Sequence, residues 1–194
     1  MLDKIKELRE TTGLGMMACK KAIEETNGDI DKAIEILRKK GEIKAAERSG
    51  RSASEGVIGT YLHTNNKIAA VVELNCETDF VAKNDYFIEI SKDLAMHVAA
   101  MNPKYIDPSE VSEEDIAKEK DIYTEQLKNE GKPENMIEKI IEGKLKKFSE
   151  ENSLLKQKFV KDDSTTIEKL IIEVSNKVGE NVKIGRIQRF SIGK

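Results

Sequence analysis

Leu2, Ile5 and Leu8 recur at the spacing of one helix face until Thr12-Gly13-Leu14-Gly15 interrupts it. Met16, Cys19, Ala22 and Ile23 fall on a second stripe, which stops at Asn27-Gly28. Asp29 is placed to N-cap a third helix carrying Ile30, Ala33, Ile34 and Leu37, closed by Gly41. Short amphipathic helices with tight turns bury a shared core only by folding on each other. Residues 1–43 are therefore expected to form a three-helix domain. Residues 44–56, rich in Ala, Ser, Gly and Arg and without an apolar stripe after Ala46, read as a linker.

The period then changes. Val57 to His63 is strand-like, Asn65-Asn66 makes a turn, and Ile68, Ala70, Val72 and Leu74 alternate with a second set of residues, so a hairpin is predicted. After the loop from Cys76 to Lys83, Asn84 can cap a helix whose stripe is Phe87, Ile90, Leu94, Val98 and Met101. Asp107-Pro108-Ser109-Glu110 combines an N-cap, a proline at the first helical position and a capping-box glutamate. It is expected to open a helix marked by Ile116, Tyr123 and Leu127. Gly131-Lys132-Pro133 breaks that helix, and Ile137, Ile140, Ile141, Leu145 and Phe148 mark the next; so short a connection makes the pair antiparallel. Thr165 with Glu168 forms another capping box, before Leu170, Ile171, Val174 and Val178. A last strand, Val182 to Ile192, is needed to complete the sheet, because a lone hairpin is marginal in water. The predicted class is α+β: the three-helix domain, then a core over residues 57–194 with a small antiparallel sheet, packed helices and an inserted helical hairpin at about 109–152.

Composition narrows the function. Charged residues make up 36% of the chain but the net charge is only −3, which argues against a general nucleic-acid binder. The basic run Arg38, Lys39, Lys40, Lys44, Arg48 and Arg51 is interrupted by Glu42 and Glu47, and reads as a solvated face. No apolar run could span a bilayer, and Met1-Leu2-Asp3-Lys4-Ile5 leads straight into amphipathic sequence. Cys19 and Cys76 are too few and too far apart for a disulfide framework or a zinc site. A reducing, cytoplasmic setting without metal or cofactor is expected.

Chemistry is sparse. No G-x-x-x-x-G-K-[ST] loop exists, so the chain is not expected to bind nucleotide itself, and the Gly13–Gly15 turn follows no strand as a dinucleotide site requires. Cys76 with His63 or His97 is the best case for a nucleophile and base. His97 lies on an apolar helix stripe and Cys76 ends an apolar strand, which are places for buried structural groups. Catalysis is not indicated. Thr78-Asp79-Phe80-Val81 stands out, with an acid beside an aromatic at a strand-to-helix turn. Either Asp79 caps the turn and Phe80 tucks into the core, or the pair projects as a wedge into a partner.

The run E-L-N-C-E-T-D-F-V-A-K-N, Glu73 to Asn84, closely resembles the signature of the bacterial elongation factor Ts family. So do L-R-E-T-T-G-L-G-M-M-A-C-K-K-A-I from Leu8 to Ile23, N-G-D-I-D-K-A-I-E-I-L-R-K-K-G behind it, and the later A-M-H-V-A-A, G-K-P-E and G-E-N-V-K-I-G-R. The resemblance implies guanine-nucleotide exchange on elongation factor Tu. It implies that the three-helix domain is ubiquitin-associated-like and docks on the GTPase through Leu14, Met16 and Met17, although the spacing of Met16 also suits core. Thr78, Asp79, Phe80 and Val81 match the family's wedge, which disturbs the ligands of the GTPase's magnesium, and His63 matches a second contact near the phosphate-binding loop. Longer relatives spread these two features over two core units. This chain carries both on one, so a homodimer in a two-plus-two complex is expected. The rival readings are a helical adaptor and a ribosome- or tRNA-associated binding protein.

Overall fold

The computed structural model describes residues 1–194 apart from Gly13, Lys132 and Lys194, and apart from the side chain of Asn135. Gly13 of the first expected turn and Lys132 of the expected hairpin break lie outside the described residues. Two compact units divide the chain: Met1–Ile58 with Glu73–Ile90 and Lys169–Gly185, and Gly59–Val72 with Ser91–Glu168 and Arg186 onward.

In the first unit, α1 (Leu2–Thr12), α2 (Met16–Glu25) and α3 (Ile30–Lys39) close around Ile5, Leu8, Cys19, Ala22, Ile23, Ala33 and Leu37. Asp29 caps α3 as its sequence position predicts, accepting from the Lys32 amide at 3.1 Å. Two stripe positions are not core: Leu2 is 69% exposed and Met16 is 44% exposed. Each is the first residue of its helix.

The stretch read as linker is largely ordered. α4 (Glu42–Ser49) starts at Gly41, whose φ of 70° turns the chain without a break. It has no buried residue, which is why no apolar stripe announced it. Ile43 packs partly buried against the three-helix core, and polar contacts hold the rest: Arg48 Nη1 donates to Asn176 Oδ1 at 3.1 Å, and Asn176 Nδ2 donates to the Gly41 carbonyl at 3.2 Å.

β1 (Glu55–Leu62) and β2 (Ile68–Cys76) form the expected hairpin, and β5 (Lys183–Ser191) adds to β2 in the order β1-β2-β5. Ala70, Val72, Leu74 and Cys76 are buried along one face of β2, as the alternation requires. Between β2 and β5 come the single-turn α5 (Asp79–Ala82), α6 (Asp85–Met101), α7 (Glu113–Asn129), α8 (Glu134–Asn152), β3 (Lys158–Phe159), β4 (Asp162–Thr166) and α9 (Ile167–Val178). In the second unit a Cβ at Gly59 would collide with the Ser91 carbonyl, so glycine lets β1 lie directly on α6. The α7–α8 hairpin is sealed by Leu127, Ile137 and Ile141, flanked by Tyr123, Ile140 and Leu145.

Two expected helix starts move. Asp107 caps only a three-residue 3-10 turn at Pro108–Glu110, and α7 begins later, capped by Ser112 accepting from the Asp115 amide at 3.1 Å. Thr165 lies in β4 rather than capping α9, and Glu168 pairs with Lys156 at 2.7 Å. At α7 the nearby Ser112 hydroxyl meets the same backbone need. The short β3–β4 pair carried no hydrophobic alternation to announce it.

Candidate partner-docking site

The Thr78–Val81 turn grows from the end of β2. Cys76 is fully buried, and its thiol donates to the Thr78 carbonyl at 3.2 Å. Thr78 is extended at φ −126° and precedes α5, but its side chain caps nothing. Its hydroxyl donates to Glu180 at 2.6 Å, and the same carboxylate accepts from the amides of Glu77 at 2.9 Å and Thr78 at 3.1 Å.

Asp79 does not cap the turn. It opens α5 and pairs with Lys83 at 2.7 Å, which holds its carboxyl below and the Lys83 ammonium above their ordinary ranges. Phe80 does not tuck back: it is 84% exposed. Val81 is half-buried behind it. The inward reading of Phe80 is thus excluded by geometry, and the aromatic projects.

Among the N-terminal positions, Met17 is 64% exposed and Met16 is also open, whereas Leu14 rests partly on the domain's own core. The two methionines are the adaptable surface here.

His63, in the second unit, is half-buried at the end of β1, with Nδ1 3.2 Å from the Tyr61 hydroxyl. It lines a pocket of about 250 Å³ with Tyr61, Ile68, Met96, Ala99, Ala100 and Arg189, and Arg189 Nε donates to the Ala99 carbonyl at 2.9 Å. Because Tyr61 and Arg189 face this pocket, strand alternation sends Thr60, Leu62, Gln188 and Phe190 to the opposite sheet face. There Leu62 is 61% and Phe190 59% exposed.

Cys76 and His97 are both buried. Burial, and next the Glu180 charge, push the Cys76 thiol up to about 11, so it keeps its proton at neutral pH. His97 is buried with Nε2 3.0 Å from Gln157 Oε1, while Nδ1 accepts from the Val160 amide at 3.2 Å. Among the described residues no group of three or more His, Cys, Asp or Glu could hold a metal ion, and no helix is long and apolar enough to cross a membrane.

Motif reading missed Glu180, Asn181 and Glu77. The first two lie in the G-E-N-V run that carries part of the family resemblance, but nothing in their local sequence says what they hold.

A sequence model of the family described as "Elongation factor TS" matches residues 3–194. An elongation factor Ts of Thermosipho melanesiensis is 56% identical over 190 residues, covering 98% of this chain and 97% of the relative. Those of Fervidobacterium nodosum, at 54% over 98% of this chain and 96% of the relative, and Petrotoga mobilis, at 50% over 100% and 98%, are similar along their whole length. The chain is a translation elongation factor. It belongs to the elongation factor Ts family.

Proposed function

We propose that this chain is a non-enzymatic exchange factor that binds elongation factor Tu carrying GDP, disturbs its magnesium and phosphate site, and promotes GDP release so that GTP can rebind. The single observation that carries the reading is Phe80, 84% exposed beside Asp79 on a turn anchored in the buried end of β2. Aromatics are the usual interface anchors, and this one is presented beside an acid at the tip of a short turn. The exchange needs no catalytic group from this chain. A factor that prefers the nucleotide-free GTPase must, by linkage, weaken nucleotide binding by the same ratio. Magnesium keeps few protein ligands, so a small displacement releases it.

In this reading residues 1–43 are the docking domain, through Met16 and Met17 with Leu14 behind them, and His63 makes the second contact. The factor works as a cytoplasmic homodimer in a two-plus-two complex, so that the wedge of one subunit and His63 of the other act on one GTPase. The exposed Leu62 and Phe190 on the open sheet face favour that face for the dimer contact over the helical hairpin, since a two-fold pairing doubles one self-complementary patch. The RNA-binding rival is weakened by what the basic run touches. Lys39 pairs with Glu35 at 2.8 Å, Lys40 with Glu25 at 3.0 Å and Arg51 with Glu77 at 3.5 Å. The test is fluorescent GDP release from elongation factor Tu. Acceleration that saturates with added factor is expected; no acceleration at any concentration overturns the reading.

A further inference from the structure

The wedge poses a mechanical problem. α5 is only four residues long, and a helix of that length has no stability of its own in water. Phe80 has almost no packing to aim it, and the Asp79–Lys83 pair is solvent-exposed. Whatever orients the wedge must therefore act at its root.

One cluster does so from both sides. α9 ends at Gly179, whose φ of 78° suits glycine and turns the chain back. The Ser175 hydroxyl, one turn earlier, donates to the Glu180 carbonyl at 2.6 Å and fixes that turn. Glu180 then grips the wedge root through three charge-assisted bonds, to the Glu77 amide, the Thr78 amide and the Thr78 hydroxyl. The clamp is reciprocal: Glu77 Oε1 accepts from the Asn181 amide at 2.6 Å. The buried Asn181 side chain reaches the other way and donates to the carbonyls of Ser49 at 3.3 Å and Arg51 at 2.8 Å. Arg51 itself pairs with Glu77. The segment leaving the docking helices and the root of the wedge thus meet on the same two residues, Glu180 and Asn181.

We infer that Glu180 and Asn181 are positioning residues for exchange: Glu180 sets the direction of the wedge, and Asn181 ties that direction to the segment that follows the docking helices. The inference rests on the reading of Thr78–Val81 as the wedge. Rigidity of the root limits how much binding energy is lost in ordering Phe80 at the moment of contact. Docking and insertion then behave as one body, and loosening the clamp wastes insertion while sparing docking.

The free protein supplies a readout independent of the GTPase. The chain has no tryptophan, so Phe80→Trp introduces a single indole at the wedge tip. In that background Glu180→Ala should lower the slow, segmental component of the indole's anisotropy about twofold, with cooperative melting retained and acrylamide quenching, already near its ceiling for so exposed a ring, hardly changed. Glu180→Gln, which keeps one accepting oxygen, should fall between. In the natural Phe80 background, Glu180→Ala and Asn181→Ala should reduce the maximal rate of GDP release about tenfold, leaving the half-saturating concentration within about twofold. Unchanged indole mobility in Glu180→Ala overturns the inference, whatever becomes of exchange. So does a raised half-saturating concentration with an unchanged maximal rate, which would make the pair docking residues. If the unmutated chain fails to accelerate release while the indole still responds, the exchange reading falls and the clamp stands.

Discussion

Arg48 Nη1 donates to Asn176 Oδ1 at 3.1 Å, across 128 residues of sequence, and so fastens to α9 a stretch whose composition reads as linker. The first three helices therefore lead into a held segment rather than a loose tether. Deleting Met1 to Ala46 should leave a body that still melts cooperatively, because the cluster it removes is separate and self-contained. The loss of the Gly41–Asn176 bond should cost about 1 kcal/mol. Affinity for elongation factor Tu should fall strongly, yet saturating amounts should still accelerate GDP release. Calorimetry and a release titration check both; a body with no activity at saturation would refute the division of labour.

Phe80→Ala should weaken the complex by about 2 kcal/mol or more, as loss of a central aromatic anchor does. Its melting temperature should hardly move, since the ring is not part of the core. Titration calorimetry with the nucleotide-free GTPase measures the first and a thermal scan the second. A large drop in melting temperature would return Phe80 to the core.

The homodimer can be tested at the open sheet face. Leu62→Lys and Phe190→Lys change exposed positions and should leave the fold intact while giving a monomeric mass by light scattering. Mixing Phe80→Ala with His63→Ala after dissociation and reassociation should restore activity above either variant alone, because each heterodimer holds one intact composite site. A natural chain that is monomeric both free and in complex would sink the two-plus-two arrangement.

His97 should make stability depend on pH. Burial lowers its folded pKa below the ordinary 6.5, and its Nδ1 already accepts a bond from the Val160 amide, so a second proton has no room. The unfolded chain then binds more protons just below 6.5, and stability that is full above this value falls as pH drops through it. His97→Gln should be less stable at pH 7 but lose less on acidification, as melting at pH 7.5 and pH 5.5 (chosen to be about a unit either side) will show. Parallel slopes for the two proteins would mean that His97 is not the titrating group.

The periodic core positions were open to reading from the chain alone. Leu8, Cys19, Ile23 and Leu37 on the first helices, Ala70 to Leu74 on β2, and Phe87, Leu94 and Val98 on α6 repeat because burial selects one face of each element. The candidate site positions were legible only as motif: T-D-F-V and the methionine pair can be found in the string, but whether Phe80 points out or in depends on what lies behind it. Tertiary structure decided that, and also the order of residues 44–49, the starts of α7 and α9, and the grip of Glu180 on Thr78. These are polar choices. A hydrogen bond between residues 102 apart leaves no period along the chain, since a carboxylate bound to a distant amide looks, in sequence, like one solvated at the surface.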